Sequence, residues 1–342
     1  MRFTDLPDGE LDDHIHDCMA ENPGSGYRMV SGYLSSLGLR IQRSRVRSSL
    51  IRIDPDGTGQ RLATFVPRRV YSVKAPRSLY HIDGNHKLRR VGFVIHGCID
   101  GFTRMIIFLR CNTNNKATTV LHDFVTGCTE FGLPSRVRSD YGGENLDVAR
   151  YMLEVRGTGQ GTFLTGASVH NQRIERLWRD VSRLCTRKYR TIFCAMERQT
   201  ILSHDNRLHR MALHFVFQPR IQRSLDEFSD SWNHHKIDTE HNRSPRQIFI
   251  DAVFSATGLA GIDPDFVDSD YGANNSILDE EEQPEGETEA VELDDVLGDQ
   301  PNISALLVRD LDPLRDDDND GIGCYIETVN YLEDLYAEEP WF

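Results

Sequence analysis

Three acidic side chains stand where a folded chain can aim them at one point. Asp83 follows the apolar run Leu79-Tyr80-His81-Ile82, Asp140 follows Arg136-Val137-Arg138-Ser139, and Glu175 falls one turn into an amphipathic stretch that opens at Asn171. The first two are 57 residues apart and the last two 35, so no single hairpin or helix presents all three. Carboxylates delivered from two strand ends and a helix can hold two hard divalent cations, because Mg²⁺ and Mn²⁺ take oxygen ligands and leave positions open for water and phosphate oxygens. Two such ions, roughly 4 Å apart, stabilise both the attacking and the leaving oxygen of an in-line displacement at phosphorus. With 53 acidic residues in the chain, residue type alone proves nothing. The elements around the three acids must decide.

Strand-type runs at 79–83, 91–98 and 105–109 are punctuated by Gly84-Asn85 and Asp100-Gly101, which reads as consecutive hairpins with Asp100 as a turn residue. Apolar spacing predicts a helix over 116–128, Pro134 introduces a fourth strand at 136–139, and helices follow over 147–155 and 171–189. That order is an α/β layer architecture with a mixed sheet. Between the last two helices, Gly157-Thr158-Gly159-Gln160-Gly161 has no P-loop lysine and follows no parallel strand, so it reads as a mobile loop beside the site.

Ahead of this core, 11–20, 27–37 and 42–53 read as helices, separated by Asn22-Pro23-Gly24 and by Gly38. The third carries Arg43, Arg45, Arg47 and Arg52, with Val46 and Leu50 at core spacing. Helix, glycine turn and basic helix form the layout of a helix-turn-helix DNA reader; the plain alternative is a small bundle with solvated arginines. Lys116, after Asn112-Thr113-Asn114-Asn115, is a further candidate phosphate contact, against the reading of an ordinary solvated lysine. His81 and His170 stand beside the acids and read as hydrogen-bonded neighbours rather than catalysts, while His14, His16 and Cys18 supply too few donors for zinc.

The net charge of −14 would argue against a nucleic-acid partner if it were evenly spread. Residues 251–342, however, hold 27 acidic and 2 basic residues, so residues 1–250 carry a net +11, which is what a phosphate backbone asks for. The segment from about 255 to 300 reads as a flexible acidic linker, with a short amphipathic appendage beyond it. Within that tail Asp316-Asp317-Asp318-Asn319-Asp320-Gly321 through Glu327 satisfies an EF-hand pattern, yet Pro313 breaks the entering helix and glycine stands at the eighth position, so a solvated acidic turn is the preferred reading. Seven cysteines without a C-x-x-C pair read as reduced thiols, and no signal-like or membrane-length apolar run is present.

The residues flanking the acids supply the decisive pattern. Leu79-Tyr80-His81-Ile82-Asp83-Gly84, Ile99-Asp100-Gly101-Phe102-Thr103-Arg104, the segment from Leu133-Pro134 through Asp140-Tyr141-Gly142-Gly143-Glu144, and Val169-His170-Asn171-Gln172-Arg173-Ile174-Glu175-Arg176-Leu177-Trp178 appear in order, with Trp232-Asn233-His234-His235 and Ser244-Pro245-Arg246-Gln247 closing the set. Together they resemble the catalytic core of the retroviral integrase superfamily, and more closely the insertion-sequence transposases with a helix-turn-helix ahead of the core and their eukaryotic transposon relatives. The family commonly has one residue more than the 34 found here between its second and third acids. That puts Arg176 at the strictly spaced position, but Glu175 fits the local motif and a one-residue shorter loop is the cheaper reading; Glu154 is the nearby competitor.

The resemblance implies a ribonuclease H-like core. It covers about 79 to 250, and to about 27 with the helix-turn-helix; with the composition, the chain divides into a helix-turn-helix DNA-binding region at 1–54, a linker at 55–77, the catalytic core at 78–252 and, outside the resemblance, an acidic, largely disordered tail at 253–342 that has room for short helices. It implies a transposase or integrase activity in which Asp83, Asp140 and Glu175 hold two Mg²⁺ or Mn²⁺ ions, water cuts a phosphodiester and the freed 3′-hydroxyl attacks target DNA. Arg43, Arg45, Arg47 and Lys116 would contact DNA. The partners implied are double-stranded DNA, both element ends and target, and further copies of the chain assembled on it, in the nucleus of a eukaryote or otherwise in the cytoplasm. The rival readings are a catalytically silent DNA-binding protein derived from a transposon and a nuclease of the same fold.

Overall fold

The computed structural model describes residues 3–55, 73–157, 161–166, 171–254 and 293–338. Strands β1 (Leu79–Asn85), β2 (Val94–Asp100) and β3 (Ile106–Asn112) run antiparallel in sequence order. Helix α4 (Ala117–Phe131) then carries the chain back so that β4 (Arg136–Ser139) lies parallel to β1 on its free side. Helix α5 (Leu146–Arg156) leads to β5 (Phe163–Thr165), parallel to β4, which completes the order β3-β2-β1-β4-β5. This is the mixed sheet of a ribonuclease H-like core, with β1 at its centre. Being paired on both edges and covered on both faces, β1 and β2 are buried almost throughout, and their sequences are correspondingly rich in apolar residues.

The two faces of the sheet bury separate clusters. Tyr80, Ile82, Cys98 and Val137 meet Val120 and Phe124 of α4 and Val148 and Met152 of α5. On the other side Ile95, Ile99 and Ile106 meet α6 (Gln172–Val181), α7 (Arg187–Arg198) and the 28-residue α8 (Arg207–His234). The expected helix over 171–189 is in fact α6 and α7 joined by a π turn at Ser182–Thr186, which interrupts the α-helical pattern without ending the helix. Neither β5 nor α8 is legible in the sequence. Three residues are too few to show alternation, and α8 buries Met211 to Phe217 consecutively, leaving no apolar stripe to read, while Pro219 inside it mimics a break.

Helices α1 (Asp8–Glu21), α2 (Tyr27–Ser36) and α3 (Arg43–Ile53) close a cluster of their own around Leu11, Ile15, Val30, Leu34, Val46 and Leu50. Gly38, at φ +78°, makes the turn between α2 and α3. The bundle is seated on the core through Gly32, where a Cβ would fall 2.1 Å from the Ser231 carbonyl oxygen of α8, so only glycine lets the two backbones approach.

Residues 255–292, most of the stretch that the sequence reads as acidic linker, lie outside the described residues. They follow α9 (Pro245–Phe254) and precede α10 (Pro301–Asp310) and α11 (Ile322–Glu338), whose Ile303, Leu307, Tyr325, Val329 and Leu332 join the larger core cluster against α8. Polar contacts fix this return. Asp295 accepts from Thr113 Oγ1 (2.7 Å) and Asn114 Nδ2 (3.1 Å), and the Arg220 guanidinium donates to the carbonyls of Pro313 and Arg315. In the EF-hand-like loop Asp317 accepts from the backbone N–H groups of Asn319, Gly321 and Cys324, and Glu327 is paired with Arg315. The loop therefore spends its central carboxylate on closing itself and starting α11.

Two histidines embedded in this core make stability depend on pH. Burial pushes His96 and His214 down to about 4, and the ring nitrogens of His214 have no hydrogen-bond partner among the described residues. A histidine depressed on folding costs nothing above its ordinary pKa near 6.5; as pH falls below that, the unfolded chain takes the proton first and stability is lost. His214→Leu removes that term while leaving all other titrations in place. Relative to the parent chain, the variant should gain about 2 kcal/mol in denaturant-measured stability between pH 7 and pH 5. A pH-independent difference would show that His214 keeps an ordinary pKa.

Candidate active site

Parallel pairing of β1 with β4 is what brings the first two acids together. Asp83 lies near the C-terminal end of β1, opposite Gly97 of β2, and Asp140 is the first residue after β4. Glu175 sits in the first turn of α6. Asn171, just ahead of that helix, ties it to β1: its side-chain oxygen accepts from His81 Nδ1 (2.6 Å), its amide donates to the Ile82 carbonyl (2.9 Å), and its own carbonyl accepts from the Glu175 backbone N–H (3.1 Å). The third acid is thus set relative to the first by hydrogen bonds confined to β1 and the helix start. His81 is fully buried and pushed down to about 3, chiefly by burial, so it serves this junction as a neutral imidazole.

The three carboxylates feel one another. Asp83 is raised well above the ordinary carboxylate range, first by burial, then by Asp140 and Glu175, and Glu175 is raised by burial and by Asp140. Against this, Trp178 Nε1–H donates to Asp83 Oδ2 (2.6 Å), and Lys87 and Arg179 favour the charged form of Glu175. Asp140 Oδ1 accepts from the Gly142 N–H (3.2 Å) and Asn145 Nδ2 (3.3 Å), which fixes the loop after β4. None of the three acids forms an ion pair among the described residues, although 37 basic residues lie in the same part of the chain. Crowded anions that no ion pair neutralises are destabilising unless a cation joins them.

Among the described residues no three His, Cys, Asp or Glu side chains are already gathered closely enough to hold a metal ion. The donor set nevertheless fits a hard divalent cation. It is all carboxylate oxygen, it is borne on fixed elements, and no ion pair among the described residues neutralises it.

Glu154, the competitor for third acid, is exposed on α5 and is not among the charges acting on Asp83. Asp100 is buried and accepts from the backbone N–H groups of Arg77, Phe102 and Thr103, the behaviour of a turn residue. His170 and residues 158–160 of the glycine loop lie outside the described residues. The arginines of α3 divide into two kinds. Arg45 is paired with Asp8 and Arg52 with Asp12, whereas Arg43 and Arg47 lie exposed over the Tyr27 ring at 4.7 and 4.5 Å from its centre. Lys116 is exposed at the start of α4, two residues from the Asn114 that Asp295 engages. These DNA candidates are not among the charges that act on Asp83 or Glu175. Residues that do, and that sequence reading missed, are Lys87 and Arg179; their signal, a positive charge a few residues past Asp83 and Glu175, is invisible among so many basic residues.

A family model of the integrase core domain matches residues 70–260. A comparison with curated proteins gives no match. Among solved structures, the HTLV-2 integrase catalytic core domain in complex with magnesium (trimeric form) is 14% identical, with 52% of this chain and 99% of that chain covered and a TM-score of 0.35. The simian T-cell lymphotropic virus intasome in complex with PP2A regulatory subunit B56 gamma is 10% identical, with 70% of this chain and 72% of that chain covered and a TM-score of 0.43.

Proposed function

Because the chain belongs to the integrase core domain family, we propose that it is a DNA strand transferase of the transposase or integrase type, cutting a phosphodiester at an element end and joining the freed 3′ end to target DNA. The observation that carries this reading is the group of three mutually repelling acids, Asp83, Asp140 and Glu175, on adjoining strand ends and a helix start, with no ion-pair partner among the described residues. Asp83, Asp140 and Glu175 are the residues that would hold divalent ions, Mg²⁺ or Mn²⁺, two of them on this reading. When bound, such a pair supplies Lewis-acid stabilisation of the charge that builds on the attacking and leaving oxygens. Lys87 and Arg179, which already act on Glu175, neutralise phosphate oxygens beside it. Asn171 and the neutral His81 keep the start of α6 in place while the scissile phosphate is held.

Arg43 and Arg47, exposed on α3, take DNA phosphates or base edges, and Lys116 adds a phosphate contact. Arg45 is better suited to holding α3 on α1 through Asp8. Double-stranded DNA is the substrate, several copies of the chain assemble on it, and the protein works where that DNA lies, the nucleus of a eukaryote or otherwise the cytoplasm.

The test is an assay with the element's natural flanking DNA, scoring cleavage and joining separately. Mg²⁺ or Mn²⁺ should support both, and Ca²⁺, larger and looser in its coordination, should permit binding with little chemistry. Excess EDTA should abolish turnover. Cleavage without joining would make the protein a nuclease of this fold, binding without either would make it a silent DNA-binding protein, and full turnover in EDTA would end the metal reading.

A further inference from the structure

The indole of Trp178 occupies an unusual place between two acids of the site. It stands on α6 three residues, just under one helical turn, beyond Glu175, and its Nε1–H donates to Asp83 Oδ2 at 2.6 Å, so the helix that carries one acid directly grips the other. Space for the ring is made by Gly97, the residue paired with Asp83 across β1 and β2: a Cβ there would fall 2.6 Å from the Trp178 Cη2 atom and 2.8 Å from a Leu109 methyl. The rest of the ring is buried in the larger core cluster, with Trp178 only 5% exposed, so the indole cannot swing away without opening the core. A buried donor held in such a setting selects one orientation of the carboxyl group it grips.

We propose that Trp178 is a positioning residue for the metal site: its N–H fixes the Asp83 carboxylate in the orientation that binds a divalent cation, and Gly97 exists to admit the ring that carries it. The inference rests on the reading of Asp83 as a metal ligand. Trp178 itself touches neither metal nor DNA. It acts by ensuring that Asp83 does not have to be reoriented, against the repulsion of Asp140 and Glu175, each time a cation arrives. A tryptophan kept only for packing would be replaceable by phenylalanine with a loss of stability and no change in metal dependence.

The experiment titrates the full chain with Mn²⁺, following the loss of the free-ion electron paramagnetic resonance signal, and separately follows DNA cleavage as a function of Mn²⁺ concentration. Trp178→Phe keeps an aromatic ring and removes the N–H; Gly97→Ala keeps the N–H and displaces the ring. Both should raise the Mn²⁺ concentration for half-saturation by about tenfold, the usual effect of removing a partner that orients a ligand. Cleavage at saturating Mn²⁺ should largely recover. Thermal melting identifies a variant that fails to fold, and the other variant then decides. Unchanged half-saturation in the folded variants, with Asp83→Asn losing Mn²⁺ binding, overturns the positioning role while leaving the site reading intact. Asp83→Asn binding Mn²⁺ as the parent does would instead remove the site reading and this inference with it.

Discussion

Replacing Asp83, Asp140 or Glu175 with its amide is expected to lower DNA cleavage by orders of magnitude while leaving the fold in place or slightly more stable. The two halves of that expectation have one cause. Each acid repels its neighbours, and Asp83 is further penalised by burial, so neutralising one relieves strain on the folded chain. In the Asp83→Asn variant the new amide oxygen can still accept from the Trp178 N–H, so the local hydrogen bond need not be lost. What is removed is a hard anionic ligand from a small set, and a neutral amide cannot hold a divalent cation as tightly. Loss of activity with an unchanged or raised melting temperature marks acids kept for chemistry. Near-normal cleavage by Glu175→Gln, with cleavage abolished by Glu154→Gln, would transfer the third position to α5.

Much of this site is legible in the sequence because its parts are local. A strand that carries Asp83 near its end, running on through the Gly84-Asn85 expected as a turn, a strand that ends just before Asp140 and an amphipathic helix opening one turn before Glu175 each declare themselves within about ten residues, through alternation, a preceding proline or helical spacing. The order of β1 to β4 in the sheet follows from short antiparallel connections and one helical crossover. What the sequence hides is long-range. The Trp178–Asp83 hydrogen bond joins residues 95 apart, and the clearance at Gly97 has meaning only once α6 lies across β2. Likewise nothing in Tyr27 to Ser36 announces that Gly32 will meet α8, because a glycine inside a helical pattern reads as a weak point until its partner backbone is known. Arg45 shows the same limit from the other side: a basic helix looks free to bind DNA until Asp8 is folded against it.

The acidic tail is where the charge arithmetic and the packing pull apart, and cutting it should have the largest structural effect of any change considered. Charge alone suggests that a −25 segment screens a +11 body, so that removing everything after about 255 would tighten DNA binding and steepen its loss with salt. Yet Val296, Ile303, Leu307, Tyr325 and Leu332 are buried to 1% exposure or less in the same cluster as α8. Their burial is worth roughly 1.5–3 kcal/mol apiece, a total comparable to the about 5–15 kcal/mol net stability of a whole domain. Truncation after 254 is therefore expected to give an unfolded or aggregating chain, and its DNA affinity would report on that rather than on charge. A soluble truncated protein with an unchanged melting temperature would show that the return helices are dispensable. The electrostatic question needs a variant that keeps them: amides in place of the twelve acids between 263 and 292, a stretch without a single lysine or arginine. If that charge competes with DNA phosphates while tethered to the body at both ends, its neutralisation should lower the dissociation constant for DNA and steepen its dependence on salt, since more of the protein's basic surface is then free to displace counterions. Equal affinities and equal slopes for the two full-length chains would reject competition, and leave the acidic segment no part in DNA binding.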